Sequence, residues 1–293
     1  VERRKHLVMK VVMAESRSAT GALGQRDNTP RRSAARVIQR PIELPDRTLG
    51  CRYEMKYHIT ETLAAAIAEF IKPFVQLDRY CRLQPSRDYP VVSLYLDSGD
   101  LRLCRESLTG HKNRFKLRIR SYTDEPEYPR FFEIKRRINT IIIKNRARVM
   151  DSDVKTLLAG LPLPPQNYTA DTDTINQFQL YASSIRAKPS VLVRYMRQAY
   201  EGADHNRIRI TFDRYLEYKV TNVAEVRLAG GGWQRSPFTI GGVILEIKFT
   251  DLYPAWLARM VRQFNLRARS ISKYASSLRN SCSLKFCAPK LLL

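Results

Sequence analysis

Polar and apolar residues alternate along much of the chain beyond residue 52, with the period of strands. The clearest stretch is Phe131-Phe132-Glu133-Ile134-Lys135-Arg136-Arg137, where Glu133, Lys135 and Arg137 fall at every second position. The same spacing joins Glu54 to Lys56, Arg118 to Arg120, Arg207 to Arg209 and Glu246 to Lys248. Side chains on a strand point to opposite faces in turn, so each pair shares one face. The pattern predicts repeated strands, each with an apolar face and a basic face dotted with carboxylates.

Taken in order, the pattern predicts a strand over 52–59 and a helix from Glu61 to about Val75. That helix is capped by Thr60 and striped by Leu63, Ala66, Ile67, Phe70 and Ile71. Strands are expected at 91–96, 115–122, 131–137 and 141–149, with a short helix from Leu101 to Leu108 closing on Gly110. Helices over 151–160 and about 172–186 follow. Val191–Tyr200 and Arg207–Phe212 read as an antiparallel pair, Gly230-Gly231-Gly232 as a loop, and Val243–Phe249 as the last strand. Helices from Pro254 to Phe264 and from about Ile271 to Leu278 complete the domain, set at 49–282. About eight strands in mostly sequential order make an α+β protein with an antiparallel sheet and peripheral helices. The sheet is either open, with its charged face in solvent, or closed into a barrel with the charges inside. Residues 1–48, rich in Arg, Ser, Thr, Pro and Gly, read as a basic disordered extension, and 283–293 as a tail.

Charge sharpens the picture. The 293 residues carry a formal net charge of +23, with a pI near 10.1, on a chain that is 44% hydrophobic. An anionic partner is indicated: nucleic acid, nucleotide, polyphosphate or an acidic membrane surface. Five cysteines without CxxC spacing indicate neither a disulfide framework nor a zinc site, and point to a reducing, cytoplasmic setting. Only four histidines are present, and no P-loop, GxGxxG, GxSxG or HExxH motif. No apolar run approaches a membrane span. The start, with Glu15 and no clean cleavage pattern, argues against secretion.

Basic side chains at this density repel one another unless something anionic neutralises them. Phosphate suits the residue types, since arginine offers two-point hydrogen bonds and lysine a point charge. Phosphoryl transfer rests on positioning and charge stabilisation, with a divalent ion on oxygen ligands. Glu54, Glu133 and Glu246 each precede a lysine by two residues. They are candidates for binding metal, for orienting the lysines, or for simple pairing with a basic neighbour.

Arg52-Tyr53-Glu54-Met55-Lys56-Tyr57, Ser93-Leu94-Tyr95-Leu96-Asp97, Lys116-Leu117-Arg118-Ile119-Arg120 and Phe132-Glu133-Ile134-Lys135 resemble, in order, strands of one family. So do Tyr195-Met196-Arg197-Gln198-Ala199-Tyr200, Arg209-Ile210-Thr211-Phe212-Asp213, Leu245-Glu246-Ile247-Lys248-Phe249 and Ser272-Lys273-Tyr274. The family is the polyphosphate-polymerase domain of the vacuolar transporter chaperone (VTC) proteins, in the triphosphate tunnel metalloenzyme superfamily. The resemblance spans roughly residues 50–280 and implies an eight-stranded antiparallel β-barrel, the triphosphate tunnel. It also implies an ATP-dependent transferase that extends a polyphosphate chain with Mn2+ or Mg2+.

By that resemblance the catalytic set is Lys56, Arg118, Arg120, Lys135, Arg197 and Arg209. The substrate-binding set is Lys144, Arg146, Lys248, Lys273, Glu54 and Glu133, and Glu246 holds the metal. Arg194 and Arg197 are three apart, so a regular strand does not aim both inward, and Arg197 is preferred. The implied partners are ATP and inorganic polyphosphate or pyrophosphate. Nucleic acid is disfavoured, because Tyr57, Tyr95, Phe115 and Phe132 adjoin charged positions and are expected on the core face. The alternatives are a metal-dependent tripolyphosphatase or nucleoside triphosphatase on the same tunnel, or a non-catalytic binding module. Arg52 stands where the hydrolase branch opens its ExExK motif with glutamate, which favours the polymerase branch. The regulatory phosphate-sensing domain and membrane helices of the eukaryotic subunits have no counterpart in the sequence, so a stand-alone soluble form is expected.

Overall fold

The computed structural model describes residues 53–139, 141–162, 171–202, 208–237, 242–250 and 253–283. The extension expected at 1–48, the tail after Ser283, Arg52, Arg207 and the turn at 203–206 lie outside the described residues. Among the described residues ten strands form one antiparallel sheet. They are β1 (Tyr53–Thr60), β2 (Val75–Leu77), β3 (Tyr89–Asp97), β4 (Arg114–Ser121), β5 (Arg130–Ile138), β6 (Ile141–Val149), β7 (Lys188–Gly202), β8 (Arg209–Val220), β9 (Gln234–Arg235) and β10 (Gly242–Phe249). Eight of them follow the path β1-β10-β8-β7-β3-β4-β5-β6, while β2 and β9 are short additions on β7 and β8. The sheet curls strongly into a half-barrel. Among the described residues no backbone ladder joins its ends, β1 and β6, so the tunnel is not closed by main-chain hydrogen bonds. Side chains span the gap instead: Lys135 of β5 donates to Glu54 of β1 at 2.9 Å.

Among the described residues seven α-helices accompany the sheet: α1 (Glu61–Ile71), α2 (Arg79–Arg82), α3 (Arg102–Leu108), α4 (Val154–Leu158), α5 (Thr172–Ser184), α6 (Ala255–Gln263) and α7 (Lys273–Ser283). Thr60 caps α1 as expected, its hydroxyl accepting from Leu63 N at 3.2 Å. The helix stops at Ile71 rather than near Val75, because Pro73 has no N–H with which to continue the hydrogen-bond ladder. Val75–Leu77 becomes β2, paired with Tyr200–Gly202 of β7.

Two apolar clusters clad the convex face. Tyr57, Ile59, Phe212, Leu245 and Ile247 pack under α1 and α6, and Leu117, Ile119, Phe132, Ile134 and Ala147 pack under α4 and α5. Phe132 meets Phe178 of α5 edge to face at 4.8 Å. Fully burying such a ring contributes about 1.5–3 kcal/mol, and a one-residue slip would expose it. Burial of Phe132 and Ile134 therefore fixes Glu133 and Lys135 on the concave face. A third cluster fills one end of that concave face, where Tyr274, Ala275 and Leu278 of α7 pack on Tyr95, Val191, Val193 and Ile244. Asp97 secures this plug: its carboxylate accepts from Leu103 N and Cys104 N at the start of α3 and from the Tyr274 hydroxyl.

Candidate functional site

Above the α7 plug the concave face holds a cavity of about 720 Å³. Twelve of the thirteen residues expected from sequence line it: Glu54, Lys56, Arg118, Arg120, Lys135, Lys144, Arg146, Arg197, Arg209, Glu246, Lys248 and Lys273. With Lys116, the lining contains eleven lysines and arginines against two glutamates. Glu133 is the exception among the expected contacts. It is fully buried behind the wall and does not face the space.

The carboxylates hold the cations in groups. Glu133 accepts from Arg118 Nε at 2.5 Å and Arg146 Nε at 2.7 Å, and Lys144 Nζ lies at 2.8 Å. Burial opposes its charge, but Arg118, Arg120, Lys144 and Arg146 together hold it far below the usual carboxylate range. Asp213, also buried, takes a two-point contact from Arg197 at 2.7 and 2.8 Å and meets Lys273 at 2.6 Å. These partners outweigh its burial and bring it down to about 2. Asp78 receives Arg209 at 2.8 Å.

Glu54 and Glu246 converge on Lys56 Nζ, at 2.8 and 3.8 Å, across the β1–β10 pair, where Glu246 faces Lys56 in register. Glu54 contacts Lys56 at 2.8 Å, and Glu246 contacts Lys248 at 3.1 Å. Two carboxylates this close favour a cation or a proton between them. Among the described residues no group of three or more His, Cys, Asp and Glu is placed to hold a metal alone. The pair nonetheless fits Mg2+ or Mn2+, which bind through one or two carboxylates and complete their shells with water and substrate phosphate oxygens.

Two lining cations have no carboxylate within ion-pair distance among the described residues. Lys116 donates to Ser272 Oγ at 2.9 Å. Arg120 donates to Ser93 Oγ at 3.2 Å and to the Tyr195 hydroxyl at 3.5 Å. Burial, then Lys56 and Lys135, push Lys116 down to about 7. Lys144 is likewise lowered to about 7 and Lys248 to about 8, burial outweighing Glu133 and Glu246 respectively. These lysines are partly neutral in the free protein near pH 8, and a bound anion favours their charged forms. Tripolyphosphate binding is therefore expected to draw in protons and to weaken as pH rises from 7 to 9. The proton that tripolyphosphate itself loses over this range works in the opposite direction, so the ligand is also titrated alone and its share subtracted. Calorimetry in two buffers of different ionisation enthalpy checks this. Binding that strengthens with pH, or releases protons, contradicts it.

Arg197 lines the cavity and Arg194 does not. A bulge between Arg194 and Met196 shifts the register of β7 on β8, and Arg194 leaves the cavity to pair with Glu217 at 2.7 Å over the Trp233 ring. The expectation for Tyr95 is corrected. It lines the cavity, stacks on Tyr274 at 4.8 Å, and its hydroxyl lies 3.3 Å from Arg118 Nη1. Tyr57, Phe115 and Phe132 do lie with the convex clusters. Sequence reasoning passed over Lys116, Ser272, Tyr80, Tyr89, Tyr122 and Tyr195, all on the lining. Parity marks three of them: Lys116 lies two before Arg118, Tyr122 two after Arg120, and Tyr195 two before Arg197.

With this geometry in view, comparison with known proteins is informative. Residues 51–281 match the family model described as the VTC domain. No curated protein matches the chain. Among solved structures, it is similar to the PH1819 protein from Pyrococcus horikoshii OT3, with 12% identity over 79% of this chain and 99% of that one and a TM-score of 0.40. A Mimivirus capping enzyme triphosphatase is similar at 7% identity over 72% and 88% of the two chains, with a TM-score of 0.28.

Proposed function

The chain belongs to the VTC domain family, and on that premise we propose that it is an ATP-dependent polyphosphate polymerase. A terminal oxygen of the polyphosphate chain bonds to the γ-phosphorus of ATP as the bond to the β–γ bridging oxygen breaks. The electron pair leaves with ADP, and the chain gains one phosphate. The attacking oxygen is already ionised at neutral pH, so the reaction needs no strong general base. The observation that supports this reading is the excess of cations facing one cavity, with Lys116 and Arg120 lacking any carboxylate partner among the described residues.

In this reading Arg118, Arg120, Arg197 and Arg209 offer phosphate oxygens the guanidinium N–H groups that their protein partners leave over, while Lys56, Lys116, Lys135 and Lys273 supply point charge. Placing fixed cations where charge develops in the transition state is the main source of acceleration open to such a site. Glu133 and Asp213 keep their arginines extended and charged before substrate arrives. Glu54 and Glu246 would hold Mg2+ or Mn2+, which when bound neutralises phosphate charge. ATP with polyphosphate or pyrophosphate are the proposed substrates.

The test is ADP release with and without a short polyphosphate primer in the presence of Mn2+. Release that rises with primer while orthophosphate stays flat supports polymerisation. Orthophosphate formed at the same rate without primer makes the protein a triphosphatase.

A further inference from the structure

Phosphate chains need cations, yet one part of the cavity wall is aromatic. Tyr80, Tyr89, Tyr122 and Phe131 all line it and touch in series, with ring centroids 6.2, 6.0 and 5.8 Å apart. Arg146 closes the far end of the arc, its guanidinium 4.4 Å from the Phe131 centroid. The arc lies away from the α7 plug. Tyr89 begins β3 and Asp97, which anchors the plug, ends it, eight residues and about 26 Å along the strand. At this open end Tyr80 is 37% exposed, unlike the buried Tyr89 beside it.

Tyr80 is held there by a buried carboxylate. Asp78 caps α2 by accepting from Cys81 N at 2.8 Å, and its other oxygen takes Arg209 at 2.8 Å and lies 3.4 Å from the Tyr89 hydroxyl. One side chain thus ties an exposed ring to a cation of the phosphate wall.

We propose that this arc is the seat of the nucleobase, with the base stacked on Tyr80 and the triphosphate running inward past Arg209, Arg197 and Arg120. This deepens the polymerase reading and rests on it: it gives ATP one direction in the cavity, base at the open end and γ-phosphate toward Lys116 and Lys135. Stacking accepts any base, since every base has a π-face. The seat therefore separates a nucleoside triphosphate from bare tripolyphosphate rather than one base from another.

The test compares a non-hydrolysable ATP analogue with tripolyphosphate, both with Mg2+, on wild type, Tyr80→Ala and Tyr80→Phe. Tyr80→Ala is expected to weaken the analogue about tenfold and to leave tripolyphosphate within about twofold, while Tyr80→Phe keeps both. Equal weakening of the two ligands, or no weakening of the analogue, overturns the seat. Wild-type polymer synthesis alongside that result leaves the polymerase reading standing. Wild type that binds both ligands with the expected Tyr80 effect, but forms no polymer, supports the seat and removes the polymerase.

Discussion

Arg118→Ala is expected to lower the rate of ADP formation by about 10²–10³-fold, the usual cost of deleting one donor that meets developing charge. The fold should stand, because Glu133 keeps Lys144 and Arg146 as partners and the convex packing of Leu117 and Ile119 is untouched. Comparing kcat with the unfolding midpoint of the same preparation separates the two effects. An Arg118→Ala protein that melts like wild type and turns over at a comparable rate would remove Arg118 from the catalytic set. Lys135→Ala should behave alike, since Lys135 meets Glu54 at the open seam of the sheet rather than in the core.

Glu133→Gln should show the opposite profile, with stability lost first. The wild-type carboxylate is fully buried and neutralises three cations, and removing this one anion, which leaves all three uncompensated, costs about 3–5 kcal/mol. Because Lys144 and Arg146 reach solvent, the loss should fall near the lower end of that range. The diagnostic is rescue. Tripolyphosphate should raise the melting temperature of Glu133→Gln more than that of wild type, since the ligand supplies the charge the variant lacks. Equal ligand shifts in the two proteins would mean that Glu133 does not balance the phosphate-facing cations.

The concave charge set was legible in the sequence because most strands bury one face only. Phe132 and Ile134 under α5, or Tyr57 and Ile59 under α1, fix parity, and parity carries Lys135 or Lys56 inward. The Tyr95 assignment failed for the complementary reason. β3 is central and buried along both faces, so its sequence carries no polar alternation to say which side is which. Strand pairing was also hidden: β1 meets β10 and β3 meets β7, contacts between residues as far apart in sequence as Tyr53 and Phe249 or Tyr89 and Arg197, which no local pattern encodes. Depth escaped as well. Glu133 and Glu54 look alike in sequence, yet the first is sealed behind the wall and the second faces the cavity. Tyr80 sits on a four-residue helix and is oriented by Asp78, so neither period two nor helical spacing points to it.

The most direct test of the central claim follows the phosphoryl group itself. Wild-type protein is incubated with ATP labelled at the γ-phosphate, Mn2+ and a short polyphosphate primer, and the products are resolved by length. The expected result is a ladder of labelled chains longer than the primer, with ADP formed in equal measure and the ladder lost in Arg118→Ala. Label that appears only as orthophosphate, or that stays in ATP, would contradict it.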